Sequence, residues 1–431
     1  MNTGFGLSAA ARAALLARLN RRRDDAPAPE APRGFRELPG QREMALIRDA
    51  AASLALENPF FRAHEGVASA HSVIAGREVI NFGSYNYLGL NGDARVQAVA
   101  KAAIDRHGVS ASASRMVSGE RPLHGALEAA LAAHYRTAAA LVFVSGHATN
   151  VTVIGHMMGP RDLIVHDAAI HNSCTEGVRL SGAKRLSFPH NDWRAAEAAL
   201  GEARRGARRA LMVIEGHYSM DGDIPDLPRF IEIARRHDAW LMVDEAHALG
   251  VVGTRGHGLH EHFDIDPNEV DIWMGTLSKT LSACGGYIAG NASLIEWLKH
   301  SAPGFIYSVG LAPALAAAAL ESLAILHAEP ERVVRLQANA ALFLELARDA
   351  GFDTGSATAH AIIPVILGSS IAAARYAQLL FARGINVQPI VYPAVAEKAA
   401  RLRFFLSSEH SEADIRTTIA ALIAIRQDAK A

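Results

Sequence analysis

The chain has 431 residues, half of them hydrophobic, and its 43 basic side chains balance 44 acidic ones. That length holds roughly two to three domains, and the balance gives no reason to expect nucleic acid or an anionic surface as partner. Two cysteines, Cys174 and Cys284, are too few for a disulfide framework or a structural metal site, so no metal and a reducing, cytoplasmic interior are expected.

In chain order, the opening "GLSAAARAALLARLNRRRDD" reads as an amphipathic helix with Leu15, Leu16 and Leu19 on one side. The Pro-rich linker "APAPEAPRG" follows, so residues 1–38 form an appendage. Three readings of that helix stay open: an Arg-rich transit peptide, a plain solvated helix, and a linker. The last would resemble the "LSxxxRALLxxRL" segments beside carrier and condensation domains of polyketide and peptide megasynthases. Residues 39–100 form an N-terminal segment. From 101 to 315 the chain alternates, with buried-strand runs at 140–146, 162–170, 209–216, 239–250 and 270–276 and helical segments at 191–205 and 226–237. Short apolar runs separated by helices predict an α/β domain on a mostly parallel sheet with flanking crossover helices. Residues 316–431 read as a smaller α+β domain: one long Ala/Leu helix to about 350, strands at 360–368 and 385–392, and a closing helix at 411–427. No apolar run reaches membrane-spanning length, because Pro313 and Glu321 interrupt the Ala-rich stretch at 311–328.

Ligands of α/β sheets collect at the carboxyl ends of strands, and several strand ends here carry polar residues. "VFVSGHATN" ends a strand at Ser145–Gly146 and starts a helix, whose free N–H groups suit a phosphate. "VDEAHALG" leaves Asp244 and His247 just past an apolar run, and "IEGHYSMDGD" leaves Ser219 and Asp221 on a loop. "GTLSKTLSACGGYIAG" (275–290) holds a single charge, Lys279, among small residues. A phosphate-ready turn, then a carboxylate, then a lysine match what pyridoxal 5'-phosphate requires: an anion site, a partner for the ring nitrogen, and an amine for the aldehyde.

These motifs, with "NFGSYNYLGL", "SASRMVSGERPLHGALE", "LSFPHND" and "VQPIVYP…RLRF", resemble the α-oxoamine synthases, pyridoxal-phosphate enzymes of fold type I. That family includes serine palmitoyltransferase, 5-aminolevulinate synthase and 8-amino-7-oxononanoate synthase. The resemblance covers about Ile80 to Arg403. It implies that Lys279 forms the Schiff base and removes the Cα proton, and that Asp244 pairs with the pyridine nitrogen. It also implies that His247 and Ser219 serve the ring oxygen, that Gly146 and His147 flank the cofactor, and that Thr276 reaches the phosphate. His171 would stack on the ring, and Arg403 would grip the amino acid carboxylate. Ser308, in "FIYSVG", would be donated to the other subunit's phosphate, which implies a homodimer with sites at its interface. The implied reaction is a decarboxylative condensation of a small amino acid with an acyl thioester, carried by CoA or by an acyl carrier protein.

The sequence departs from the family pattern at several places. His147 stands where Phe or Tyr is usual, Tyr85 where one member has Asn, and Asn172 where Ala is usual. Ser114 occupies a position that is Thr in the glycine-specific member, and its smaller side chain favours alanine or serine as substrate. Ala394 replaces a Thr that touches short acyl groups, which favours a longer apolar chain. Two alternatives are another fold type I enzyme (an aldolase, decarboxylase or aminotransferase) and a catalytically silent partner subunit. The presence of Lys279, Asp244 and His247 argues against the second.

Overall fold

The computed structural model describes residues 34–35 and 38–428; the helix expected in the first twenty residues lies outside them. The chain divides into two compact units, Met1–Glu57 and Asn58–Ala431. In the first, helix Gln41–Ser53 buries none of its residues.

The second unit is built on three sheets. Strands β1 (His64–Glu65), β2 (His71–Ile74) and β3 (Arg77–Asn81) open a four-stranded sheet. The large sheet follows with β4 (Ala139–Phe143), β5 (Leu163–Asp167), β6 (Lys184–Phe188), β7 (Ala210–Glu215), β8 (Trp240–Asp244), β9 (Ile272–Thr276) and β10 (Gly286–Gly290). Its seven strands run in the order β4-β10-β9-β8-β7-β5-β6, with only β10 antiparallel to its neighbours. The remaining strands are β11 (Ile362–Ile366), β12 (Ile385–Asn386), β13 (Gln388–Ile390) and β14 (Arg401–Phe405). β11, β14 and β13 form a third, antiparallel sheet, whereas β12 pairs in parallel with β3.

The large sheet is apolar on both faces because each strand alternates sides. Leu163, Val165, Met212, Ile214, Leu241 and Val243 pack into one core. The intervening Ile164, Leu211, Val213 and Met242 pack into the other. That is why these segments read as continuous apolar runs rather than alternating ones. The run at 239–250 is strand only to Asp244; the apolar residues beyond it, Ala248 to Val252, are buried in turns. The single long helix expected to about 350 is two, Pro313–Ala328 and Glu331–Asp349, since Pro330 lacks the N–H that an unbroken helix needs. Among the described residues no helix is long and apolar enough to cross a membrane.

Behind the large sheet, His134, His257, His260 and His327 crowd together, with His134 Nδ1 2.9 Å from His327 Nε2. No group of three or more His, Cys, Asp or Glu among the described residues is arranged to hold a metal ion. Burial holds His260 at about 4 against an ordinary 6.5, and burial also lowers His134, His257 and His327. Below pH 6.5 the unfolded chain takes up protons that the folded chain refuses, so stability falls as pH drops from 6.5 towards 4. For His260 this loss is on the order of 3 kcal/mol. Urea unfolding at successive pH values should show the fall, and His260→Gln should make it shallower.

Candidate active site

The carboxyl ends of β5, β7, β8 and β9 open into a cavity of about 390 Å³. Beyond β4 the chain turns at Ser145, which caps helix Gly146–Met157 by accepting Ala148 N–H at 3.3 Å. A Cβ on Gly146 would sit 2.7 Å from Thr276 Oγ1, so only glycine lets the helix start approach the end of β9 this closely. Thr276 donates to the Gly285 carbonyl at 3.0 Å. Free N–H groups of a helix start beside a hydroxyl make an anion site.

Asp244 closes β8 and lies in register beside Glu215, the last residue of β7. Its Oδ2 accepts Asn150 Nδ2 at 2.8 Å and its Oδ1 accepts Ala246 N–H at 3.0 Å. Glu215 is buried; that burial, with the Asp244 charge beside it, pushes its carboxyl up to about 8. The same side chain accepts His171 N–H at 2.6 Å and Ser219 N–H at 3.4 Å. His247 is held by the Tyr87 hydroxyl at 2.8 Å, and burial drives its pKa well below the ordinary value.

Lys279 follows β9 on a loop and lines the cavity with Ser278 and Tyr85. Its Nζ lies 5.6 Å from the Tyr85 ring centre. Withdrawal from water brings the amine down to about 8, against the opposing pull of Asp244 and Glu215 and with help from Arg403. Arg403, on β14, spends Nη1 on the Ser219 carbonyl at 3.0 Å and stacks over Phe405 at 4.7 Å. Its Nε is buried with no partner among the described residues, and Nη1 also points at Met220 Sδ at 3.4 Å. A guanidinium has five N–H donors, so the fork keeps some beyond the one spent on Ser219.

The cavity brings together Gly146, His147, His171, Ser219, Asp244, His247, Thr276, Lys279, Arg403 and Tyr85. Ser114 and Ser308 do not line it. They lie on neighbouring segments, joined by Gly310 N–H to the Ala113 carbonyl at 2.9 Å, next to the exposed Met116, Val117, Tyr307 and Val309. The sequence reading missed Asn150, Ser173 and Glu215. Asn150 lies one helical turn beyond Gly146, which is the signal that points to it. The "HND" motif supports the fold beside the site. His190 donates to Asp167 and Asp223, and although burial opposes its charge, the two carboxylates raise it to about 10.

The family model for aminotransferase class I and II matches residues 77–422. An 8-amino-7-oxononanoate synthase from Thermosipho melanesiensis is 40% identical over 356 residues, covering 83% of this chain and 90% of that protein. The chain belongs to the aminotransferase class I and II family. Among solved structures, a serine palmitoyltransferase variant from S. paucimobilis with a bound PLP–myriocin aldimine superposes with a TM-score of 0.87 at 30% identity, over 92% of this chain and 99% of that one. A serine palmitoyltransferase from Sphingomonas wittichii gives 0.87 at 31%, over 91% and 98%. Within the family this protein is a fold type I α-oxoamine synthase, a pyridoxal-phosphate acyltransferase that joins an amino acid to an acyl thioester with loss of carbon dioxide. The cavity suits that cofactor: an anion-ready helix start, a buried carboxylate and a desolvated amine share its wall.

Two expectations follow from the site's charges. Only a neutral amine attacks an aldehyde, so cofactor capture by the cofactor-free protein should accelerate as pH rises through about 8. Stopped-flow absorbance measures this, and Lys279→Ala should abolish the Schiff-base band. The His190 cation stabilises the fold fully below pH 6.5, and that contribution is lost as pH rises through about 10. His190→Gln should lower the melting temperature at pH 7 and flatten its alkaline fall.

Proposed function

We propose that the protein is a homodimer that condenses L-alanine or L-serine, in preference to glycine, with a long-chain acyl thioester. The products are an α-amino ketone, carbon dioxide and free thiol. The observation that carries this reading is one cavity wall that holds both a lysine amine brought down to about 8 and an arginine fork.

Bound pyridoxal phosphate supplies the aldehyde for Lys279 and an electron sink for the Cα–H bond. Arg403 binds the amino acid carboxylate with the donors left free by Ser219 and so aims the Cα–H bond. Lys279 Nζ takes the Cα proton, a task for which an amine near 8 is matched to neutral pH. Asp244, held by Asn150 and Ala246, would keep the proton on the bound ring nitrogen. His247 and Ser219 would serve the ring oxygen, and Thr276 with the turn at Gly146 would hold the phosphate. His171 would cover the ring and meet the acyl carbonyl, with His147 beside it; the two imidazoles meet edge to face at 6.3 Å.

The dimer is supported by Ser114 and Ser308 lying away from their own chain's cavity, beside exposed Tyr307 and Val117. On this reading they complete the second subunit's site, where Ser114 leaves space for a substrate side chain. A cytoplasmic location suits two unpaired cysteines. The carrier-bound donor is a second reading, favoured by the linker-like sequence of the first helix.

The decisive assay is thiol release by the pyridoxal-phosphate-loaded protein with alanine, serine or glycine and an acyl chain on CoA or on carrier protein. Release that depends on alanine or serine is expected, and Ser114→Thr should move selectivity towards glycine. Arg403→Lys should raise the amino acid KM roughly tenfold or more, because one ammonium replaces a fork. Deleting residues 1–34 should impair only the carrier-bound donor. Thiol release with glycine alone would overturn the substrate assignment, and no release with any donor would overturn the condensing role.

A further inference from the structure

Behind His171 the hydrogen-bond donors can be counted one by one. The main-chain N–H of Ser173 points at His171 Nδ1 at 3.3 Å, and Ser173 Oγ lies 2.7 Å from the same nitrogen. A main-chain N–H can only donate, so Nδ1 holds a lone pair rather than a proton. Asn150 Nδ2 spends one hydrogen on Ser173 Oγ at 3.0 Å and the other on Asp244 Oδ2 at 2.8 Å. The carboxylate accepts only, which fixes which way the Asn150 amide faces. With Ser173 Oγ already accepting, its own proton goes to His171 Nδ1; the Cys174 thiol beside it is a weaker acceptor. Asn150 and Ser173 are both buried, so water does not compete for these bonds. Among the described residues His171 Nε2 has no hydrogen-bond partner and is not sealed off, and the ring lines the cavity.

We propose that Asn150 and Ser173 are positioning residues that lock His171 in its Nε2–H tautomer, so that the ring offers the cavity a donor and no acceptor. The lock is anchored on Asp244, the carboxylate that also serves the cofactor ring. His171 therefore donates to a substrate oxygen, a carboxylate or an acyl carbonyl, and does not act as a base. Protonating the ring would aim a new Nδ1–H at two donors, which agrees with a pKa lowered chiefly by burial.

The inference rests on the proposed function only for the roles of His171 and Asp244, so its test does not depend on turnover. Neutron diffraction from crystals of the pyridoxal-phosphate-loaded protein is expected to place deuterium on His171 Nε2 and none on Nδ1; deuterium on Nδ1 overturns the proposal. Amino acid affinity, read from the cofactor's absorbance without any acyl donor, should weaken about tenfold in Ser173→Ala and return in Ser173→Thr, which restores the hydroxyl. Unchanged affinity in Ser173→Ala overturns the positioning role. If no amino acid binds even the unaltered protein, the proposed function fails while the neutron result still decides the tautomer.

Discussion

The site depends on one constraint: parallel pairing in register sets the carboxyl groups of Glu215 and Asp244 side by side at the ends of β7 and β8. Two adjacent carboxylates withdrawn from water do not both ionise readily. Asp244 receives two donors, from Asn150 and from the Ala246 main chain, whereas Glu215 receives its donors from the His171 and Ser219 main chains and is pushed up to about 8. Glu215 is thus the member of the pair that burial and its neighbour's charge push towards the neutral form. Both carboxyl groups pull Lys279 towards its protonated form, yet burial outweighs them and the amine sits near 8.

Glu215 has a second consequence, which is mechanical. By accepting from the main chains of His171 and Ser219 it fixes two loops that leave different strands. The Ser219 carbonyl in turn takes Arg403 Nη1. One buried acid therefore positions both His171 and, through Ser219, the Arg403 side chain on the cavity wall.

How much of this was legible in the sequence depends on whether the signal is local. The five buried strand runs of the central domain were, because burial on both faces writes itself as consecutive apolar residues. β6, "KRLSF", was not: it is the edge strand, mostly exposed, and carries no such run. β10, "GYIAG", hides behind its glycines, although Gly275 must lack a side chain because a Cβ there would lie 2.2 Å from the Tyr287 ring. Lys279, Asp244 and His247 stood out as polar groups at strand ends. Glu215, Asn150 and Ser173 did not, since a strand-end Glu, a helical Asn and a Ser after a His each have ordinary explanations. Only the folded chain shows that each also has a partner 23 to 94 residues away.

The "SMDGD" loop is where these local and distant signals join. Gly222, at φ 72°, lies so close to the Ile362 carbonyl that a Cβ would fall 2.0 Å from it, which only a glycine tolerates in that backbone region. On one side Asp223 takes the His190 cation, and on the other Asp221 takes Arg401 Nη1 at 2.6 Å. Arg401 and Arg403 leave the same face of β14, two residues apart. The loop thus clamps the strand that bears Arg403 onto the edge of the sheet that bears Asp244. The position of Arg403 relative to Lys279 is therefore a tertiary property, set by ion pairs and a steric contact on either side of Ser219 rather than by either residue's own segment.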